Sequence, residues 1–204
     1  MAEIITIEEF RQYLRSEPDS DVDEALTEII KAASEYFRGA TNMNFDQRAY
    51  VETRNGPGRK TIMVAQPPVA ADPLPTVVEN GKALIVAAGY SETADVVVDL
   101  ADGFFHRRAG STLVPGTGDY PAVWSRGAQN VVISYTGGFP ASTMPSDARL
   151  FVKWLGALYW QDAEDKRTGV ARRGTANSSV DFLTEIPPMY QDIVERWRRT
   201  PVID

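Results

Sequence analysis

Apolar residues recur at helical spacing through the first forty positions of the chain. The two stripes comprise Phe10, Tyr13 and Leu14, then Val22, Ala25, Leu26, Ile29, Ile30, Ala33 and Phe37. Thr6 followed three residues later by Glu9 has the form of a capping box, which starts a helix. The pattern predicts one helix from Thr6 to about Arg15 and a second from about position 20 to Arg38, with Gly39 as its C-terminal stop.

Between Arg48 and Gly137 the pattern changes to short β-branched and aromatic runs separated by turn residues. The runs are RAYVET, KTIMVA, TVVE, KALIVAA, ADVVVDL, GFFHRR and NVVISYT. Asn80-Gly81 is the best signal for a two-residue hairpin. We expect a meander or small antiparallel sheet of about five to seven strands over residues 48–137.

A third helix, predicted from about residue 146 to 162, is apolar on nearly every side. Pro145, Ser146 and Asp147 suit its first turn. Its apolar side chains are Leu150, Phe151, Val152, Trp154, Leu155, Leu158, Tyr159 and Trp160. A helix that is apolar all round is usually buried on several faces, so we expect burial against a neighbouring subunit. A fourth helix is predicted at about residues 187–199.

These elements indicate an α+β protein, in which a small bundle of about four helices carries an inserted antiparallel β region. A chain of 204 residues is long enough for one domain or two small ones. We predict a single domain over residues 1–204. Its helices lie at about 6–38, 146–162 and 187–199, and its β region lies at about 48–137.

The composition excludes several kinds of chemistry. The chain has no cysteine, which removes disulfides, thiolate catalysis and cysteine zinc sites. Its net charge of −7 argues against a general nucleic-acid-binding face. No apolar stretch reaches the roughly 18 residues of a membrane span. His106 is the only histidine and lacks partners for a catalytic triad or a histidine metal site. We predict no cofactor and no metal.

Two further motifs are better explained by structure than by catalysis. Residues 54–61, RNGPGRKT, superficially resemble a P-loop, but the order Gly-Arg-Lys-Thr and the β-like run that follows favour a tight hairpin turn. Asp162, Glu164 and Asp165 have neither a second acidic cluster nor a turn glycine nearby, so they indicate a solvated helix end.

Gly137 and Gly138 follow the last predicted strand in the sequence ISYTGGF. Many phosphate sites begin with a strand, glycines and a helix, because backbone amides then meet the phosphate at the helix N-terminus. Here Phe139-Pro140 and several more residues separate the glycines from Pro145. The spacing predicts a structural hinge between the β region and the third helix, at a subunit junction.

The segment from Lys166 to Ser179 is polar, glycine-containing and basic, and is predicted to be a loop. Its candidates for contact with DNA are Lys166, Arg167, Arg172 and Arg173. No aromatic residue interleaves them to stack on bases, which favours a solvated loop or an acidic protein partner over a dedicated nucleic-acid site.

The ordered set of motifs resembles the head–tail connector (adaptor) proteins of tailed phages and of phage-like gene transfer agents. In chain order the matching features are D-x-x-L-T-E-I-I-K-A-A-S-E-Y-F at residues 23–37, N-x-x-F-D-Q-R-x-Y at 42–50, PPV at 67–69, YTGGF with PSDARLFVKWLGALYW, the basic loop, and PPMYQDIVERWRR. The resemblance covers nearly the whole chain. A longer stretch between Val69 and Asn130 departs from the compact members of the family.

This resemblance implies a structural protein with no catalytic activity. It implies a ring of identical subunits, typically twelve, below the capsid portal, which extends the channel for double-stranded DNA without sequence-specific binding. The implied partners are the portal protein and a tail-side stopper or tail-terminator protein, with no membrane. The implied location is the head–tail junction of a virion or phage-like particle. Before assembly, the chain is expected in the host cytoplasm.

Within this family role, two sets of residues are predicted to make contacts. The subunit interface is expected to use Phe151, Trp154, Leu158 and Trp160. Docking to the portal is expected to use Trp197, Arg198, Arg199 and Val202, because aromatic and arginine side chains dominate interface hot spots.

Two other functions stay open as alternatives. A nucleic-acid-binding module would use the basic residues between 166 and 173, and its binding would weaken steeply with salt. A small hydrolase would need a polar catalytic constellation, for which the sequence offers one histidine and no nucleophile motif.

Overall fold

The computed structural model describes residues 3–16, 20–89, 91, 93–108, 123–164, 172–175, 178–181 and 186–199. The chain divides into two compact units. We call Met1–Met43 together with Ala141–Arg199 the helical unit, and Asn44–Pro140 the β unit. Helices and strands together confirm the predicted α+β class.

The helical unit contains four α-helices, a short 3₁₀ helix and two strands among the described residues. These are α1 (Ile7–Leu14), α2 (Ser20–Thr41), the 3₁₀ helix (Ala141–Thr143), α3 (Ser146–Glu164), β9 (Arg172–Thr175), β10 (Ser178–Asp181) and α4 (Pro188–Trp197). The strands of the β unit are β1 (Arg48–Gly56), β2 (Thr61–Met63), β3 (Thr76–Glu79), β4 (Lys82–Leu84), β5 (Val86–Ala88), β6 (Val96–Asp99), β7 (Phe104–Arg107) and β8 (Gly127–Gly137).

Helix α1 begins and ends close to the predicted positions. The Thr6 side chain accepts a hydrogen bond from the backbone N–H of Glu9 at 3.2 Å, as the capping box requires. Arg15 takes a left-handed conformation with φ 56°, and the N–H of Ser16 bonds to the Arg11 carbonyl at 3.1 Å. This left-handed cap satisfies carbonyls that the helix end leaves open.

The predicted stop of α2 at Gly39 is wrong, since the helix continues to Thr41. Asn42 supplies the left-handed cap with φ 54°, and the N–H of Met43 bonds to the Arg38 carbonyl at 3.3 Å. Asparagine is the common alternative to glycine at this position, so the cap lies three residues beyond the predicted one.

The core of the helical unit is made by one apolar face from each helix. Its buried members on the four helices are Phe10, Leu26, Ile30, Ala33, Phe37, Ala148, Phe151, Val152, Leu155, Tyr190, Ile193 and Val194. At Gly156 a Cβ would lie 2.9 Å from the ring of Phe10 and 3.5 Å from Ile29, so α3 approaches α1 and α2 closely there. A glycine allows that approach because it carries no side chain.

The β unit contains two four-stranded sheets rather than the single sheet that was predicted. One sheet has the order β1-β8-β3-β4 and is antiparallel, and the other has the order β2-β7-β6-β5. The run KALIVAA is divided at Ile85 between β4 and β5, which lie in different sheets, and β5 pairs with β6 in parallel. The predicted Asn80-Gly81 hairpin is confirmed, because it joins β3 to β4 with Glu79 opposite Lys82.

Side chains from both sheets form the core of the β unit. The cluster contains Ile62, Val64, Val69, Val77, Val96, Val98, Phe105, Trp124, Val131, Ile133 and Tyr135. Residues 54–61 do not form the hairpin turn that was predicted, because β1 and β2 belong to different sheets. They instead connect the two layers that share this core.

The buried carboxylate of Glu79 is paired inside the β unit. Oε2 of Glu79 accepts a hydrogen bond from Nε of Arg107 at 3.1 Å, and its Oε1 accepts one from the N–H of Ser125 at 2.6 Å. Arg107 also donates to the Asp95 carbonyl at 2.9 Å. Since Glu79 lies on β3 and Arg107 on β7, this ion pair links the two sheets.

A second buried network surrounds Glu52 on β1. Its carboxylate accepts hydrogen bonds from Nε of Arg54 at 2.9 Å, from the N–H of Ala65 at 3.0 Å and from the hydroxyl of Tyr135. Burial, and next the bond to the Glu52 carboxylate, raise the pKa of Tyr135 far above its ordinary value. The phenol therefore stays protonated and continues to donate to Glu52 throughout the neutral pH range.

The segment predicted to be a basic loop is not entirely a loop. β9 and β10 pair in antiparallel register within it, with Arg172 opposite Asp181 and Ser178 opposite Thr175. The loop prediction is wrong for the six strand residues that fall within it, 172–175 and 178–179, because polar, glycine-containing strands lack the alternation that signals a strand. No helix among the described residues is long and apolar enough to cross a membrane.

Candidate interaction surfaces

The apolar face of α3 divides into a buried part and a half-buried part. Phe151 is fully buried, with its ring centroid 4.8 Å from that of Phe37 and 6.4 Å from that of Tyr36. The structure therefore places Phe151 in the core of its own subunit, which removes it from the predicted interface. Its fully buried ring has no area left to offer a second chain.

Trp154, Leu158 and Trp160 are each half-buried within the chain. Trp154 stacks on Tyr190 of α4, with ring centroids 4.1 Å apart and planes inclined by 16°. Its inner face thus joins α3 to α4, while the rest of the indole stays accessible. The three side chains keep the partial exposure that a contact with another subunit requires.

Tyrosines surround this aromatic face, and the sequence assigned none of them to an interface. Tyr13 on α1 and Tyr36 on α2 are 41% and 45% exposed. Burial, then the proximity of Tyr36, raises the pKa of Tyr159, and burial followed by Tyr13 raises that of Tyr190. Tyrosine combines an apolar ring with a polar end, which suits a surface that is covered on assembly. The sequence signal that could have identified these tyrosines as interface residues is their position at the border of the apolar stripe of each helix.

Asp147, in the first turn of α3, holds the end of α4. Its Oδ2 accepts hydrogen bonds from Nε1 of Trp197 and from Nη1 of Arg196, both at 3.0 Å. Trp197 was predicted to dock on a portal, and this stays a prediction. The structure shows that its indole N–H bonds to Asp147, which joins the end of α4 to the first turn of α3. No local sequence pattern predicts this bond, because Asp147 and Trp197 lie 50 positions apart.

The last described residues extend from α4 along the end of α2. The N–H of Arg199 bonds to the Thr41 carbonyl at 2.8 Å, and Nδ2 of Asn42 donates to the Arg199 carbonyl at 3.5 Å. Arg198 is exposed and pairs with Glu195 at 2.9 Å. Val202 lies outside the described residues.

The basic residues of the predicted DNA contact are only partly described. Lys166 and Arg167 lie outside the described residues, whereas Arg172 and Arg173 belong to β9. In register they lie opposite Asp181 and Val180 of β10. The cross-strand position of Asp181 brings an acidic residue next to the basic pair.

Gly137 and Gly138 lie where β8 ends, and neither has room for a side chain. A Cβ on Gly137 would lie 2.2 Å from the Gln66 carbonyl oxygen. Gly138 has φ +96°, and a Cβ there would lie 2.3 Å from the Asp46 carbonyl oxygen. The N–H of Gly138 bonds to the Pro68 carbonyl at 2.9 Å. These contacts pack backbone against backbone, and the hinge role of the pair stays a prediction.

His106 lies on β7 and has a partner of structural character. Its Nδ1 is 3.0 Å from the Thr61 hydroxyl, and the two residues face each other in the pairing of β2 with β7. Among the described residues, no group of three or more histidine, aspartate or glutamate side chains is arranged to hold a metal ion.

Comparisons with known proteins relate this arrangement to particle necks. A family model described as "Head completion protein" (HCP) matches residues 3–85, which span α1 to β4. A search of curated protein sequences finds no significant match.

Solved structures similar to the chain come from gene transfer agent (GTA) particles. A chain from the "Neck of empty GTA particle computed with C6 symmetry" has a TM-score of 0.53 and 22% identity, covering 98% of this chain and 92% of that chain. One from the "Neck of native GTA particle computed with C12 symmetry" has a TM-score of 0.51 and 20% identity, covering 99% and 96%. A third, from the "Virion of native gene transfer agent (GTA) particle", has a TM-score of 0.53 and 22% identity, covering 98% and 92%. The predicted resemblance to head–tail connectors is confirmed by the family model and by the shared fold.

Alanine at Gly137 or Gly138 is expected to destabilise the β unit by about 1–3 kcal/mol, because a new Cβ forces two backbone segments apart. Urea unfolding followed by circular dichroism measures this loss. Gly39→Ala is the matched control, since nothing lies within 4 Å of its Cβ position and it lies within α2. Alanine variants at both positions with wild-type stability would contradict the packing described for this pair.

Proposed function

We propose that this chain is a structural subunit of the connector that joins the head of a tailed phage or gene transfer agent to its tail. The observation that carries the proposal is a fold shared over 98% of the chain with a chain from a GTA neck. The head completion family model over residues 3–85 supports the same role independently of the structure. The protein would then belong to the head–tail junction of the assembled particle.

In this role the subunits form a ring. The similar chains come from necks computed with C6 and C12 symmetry. A closed ring needs heterologous contacts, in which two different surfaces of each subunit meet. We assign one of these surfaces to Trp154, Leu158 and Trp160 with the exposed rings of Tyr13 and Tyr36, because accessible aromatic side chains are enriched at protein interfaces.

The end of α4 is the surface that we assign to the portal. Arg198 is exposed, and Trp197 is fixed by Asp147, so this end presents an aromatic and an arginine side chain on a held backbone. Such a fixed group loses little conformational entropy on binding. Val202, three residues after Arg199, would extend the same contact.

The role requires neither catalysis nor a cofactor. Double-stranded DNA passes through such a channel, and a chain of net charge −7 does not grip phosphate strongly. The contact of Arg172 and Arg173 with DNA belongs to this proposal as a local one. We also propose that the four helices act as one bundle and that residues 1–204 function as a single connector domain.

Removal of this chain from the producing cell is expected to give heads without tails, because the connector is the structural joint between them. Counting tailed particles by negative-stain electron microscopy measures the effect, and expression of the wild-type chain should restore tails. Normal numbers of tailed particles in the absence of the chain would overturn the proposed function.

Arg198→Glu is expected to reduce restoration of tails by about tenfold, equivalent to one hot-spot contact of roughly 1.4 kcal/mol. The fold should be kept, since Arg198 is exposed and pairs only at the surface with Glu195. Arg59→Glu is the matched charge reversal, at an exposed position of the β unit. Equal restoration by the two variants would remove Arg198 from the docking surface.

Leu158→Ala and Trp160→Ala are each expected to lower the number of copies incorporated per particle by about thirtyfold, because interface hot spots contribute roughly 2 kcal/mol when truncated. Quantitative mass spectrometry of purified particles gives the copy number, and circular dichroism checks the isolated fold. Gln161→Ala, at an exposed position of the same helix, is the control. Wild-type incorporation of both apolar variants would move the subunit interface elsewhere.

A further inference from the structure

The hairpin of β9 and β10 lacks a third strand among the described residues. Its two strands pair with each other over four residues each and belong to neither of the four-stranded sheets. A two-stranded hairpin alone is at best marginally stable in water, and a third strand is usually needed. Each strand of this hairpin therefore carries backbone groups that another strand can satisfy.

β1 offers the longest open edge of the β unit. It has nine residues and pairs with β8 on one side, and no described strand pairs with its other side. The opposite edge of the same sheet is β4, which has only three residues. A long exposed edge strand presents unpaired N–H and C=O groups that bind an added strand.

Three exposed side chains in the middle of β1 are uncharged, and the exposed Arg48 stands before them at the start of the strand. Ala49, Val51 and Thr53 point away from the sheet interior, and Val51 is 72% exposed. Natural edge strands are commonly protected by charged side chains on this surface. The exposed face of β1 carries no such protection over these three residues.

Two charged residues of β1, Glu52 and Arg54, point inward, whereas Arg48 at the start of the strand is exposed. Glu52 and Arg54 bond to each other inside the β unit, and the pairing with β8 is irregular between Arg54 and Gly56. A bulge bends a strand and ends regular pairing. Arg48–Thr53 thus remains as a regular edge, which is longer than the four residues of β10.

We propose that β10 of one subunit adds to the β1 edge of the next subunit, so that the hairpin of β9 and β10 extends the four-stranded sheet to six strands. This inference rests on the proposed function, since it requires copies arranged in a ring. The edge and the hairpin are two different surfaces of each chain, as a heterologous closed ring requires. Strand addition supplies main-chain hydrogen bonds, and alternate side chains set the register.

β10 suits this edge better than β9. Its sequence Ser-Ser-Val-Asp carries one charge, at its last position, whereas β9 begins with Arg172-Arg173 and contains Gly174. Glycine weakens a strand because it has more backbone freedom to lose. In the register that places Val180 opposite Val51, two β-branched residues are paired at the most exposed position of β1.

Cysteine crosslinking tests the pairing directly, because the natural chain has no cysteine. The test variant combines Val180→Cys with Val51→Cys, and two further variants place the second cysteine at Ala49 or Thr53 to allow for register. Particles are assembled with each variant, oxidised and run on a denaturing gel without reductant. The expected result is a ladder of dimers and larger species at one register, about tenfold above the control, because a disulfide forms only between close Cα atoms.

The matched control combines Val180→Cys with Ala83→Cys, on the exposed side of β4 at the other edge of the same sheet. A ladder that disappears on reduction supports the proposal. Incorporation of all three test variants into particles without crosslinks overturns it and leaves the proposed function standing. A crosslinked species of monomer size also overturns it, because β10 then pairs with β1 of its own chain. Absence of the wild-type chain from necks overturns the proposed function and this inference together.

Discussion

The buried carboxylate of Glu79 is the interaction on which the β unit depends, because it bonds to both of its sheets at once. Its oxygens accept hydrogen bonds from Arg107 on β7 and from the amide of Ser125 before β8. Removing one partner of a buried ion pair costs about 3–5 kcal/mol, because the other charge is then left unpaired. The pair of Glu79 and Arg107 therefore keeps the two sheets in one relative position. The adjacent Asn80 turn reinforces this, since its side chain accepts a bond from Asn130 at 3.1 Å.

The parts predicted correctly from the sequence are those whose cause is local. Thr6 and Glu9 are three residues apart, and the capping bond between them forms as their spacing predicts. Asn80-Gly81 determines its own turn, and the apolar stripes of α1 and α2 follow from spacing along one helix. The resemblance to head–tail connectors also came from ordered local motifs, which the family model over residues 3–85 recovers in its first part.

The remainder depends on partners that are distant in sequence, which explains why it was missed. The division of KALIVAA at Ile85 follows from which sheet each half meets, and alternation along the run does not reveal this. The assignment of Phe151 to an interface failed because helical spacing identifies apolar faces without saying which chain covers them. Asp147 was assigned only to the first turn of α3, whereas its bonds to Arg196 and Trp197 are long-range.

The helical unit is discontinuous, and this shapes how the chain folds during synthesis. Arg149 on α3 donates to Glu9 on α1 at 2.8 Å, across 140 positions of sequence. At ribosomal rates of about 5–20 residues per second, α1 and α2 wait on the order of ten seconds before α3 emerges to cover them. The β unit is nearly continuous and is complete earlier. Newly made chains therefore expose the apolar faces of α1 and α2 to solvent while the intervening residues 42–145 are synthesised.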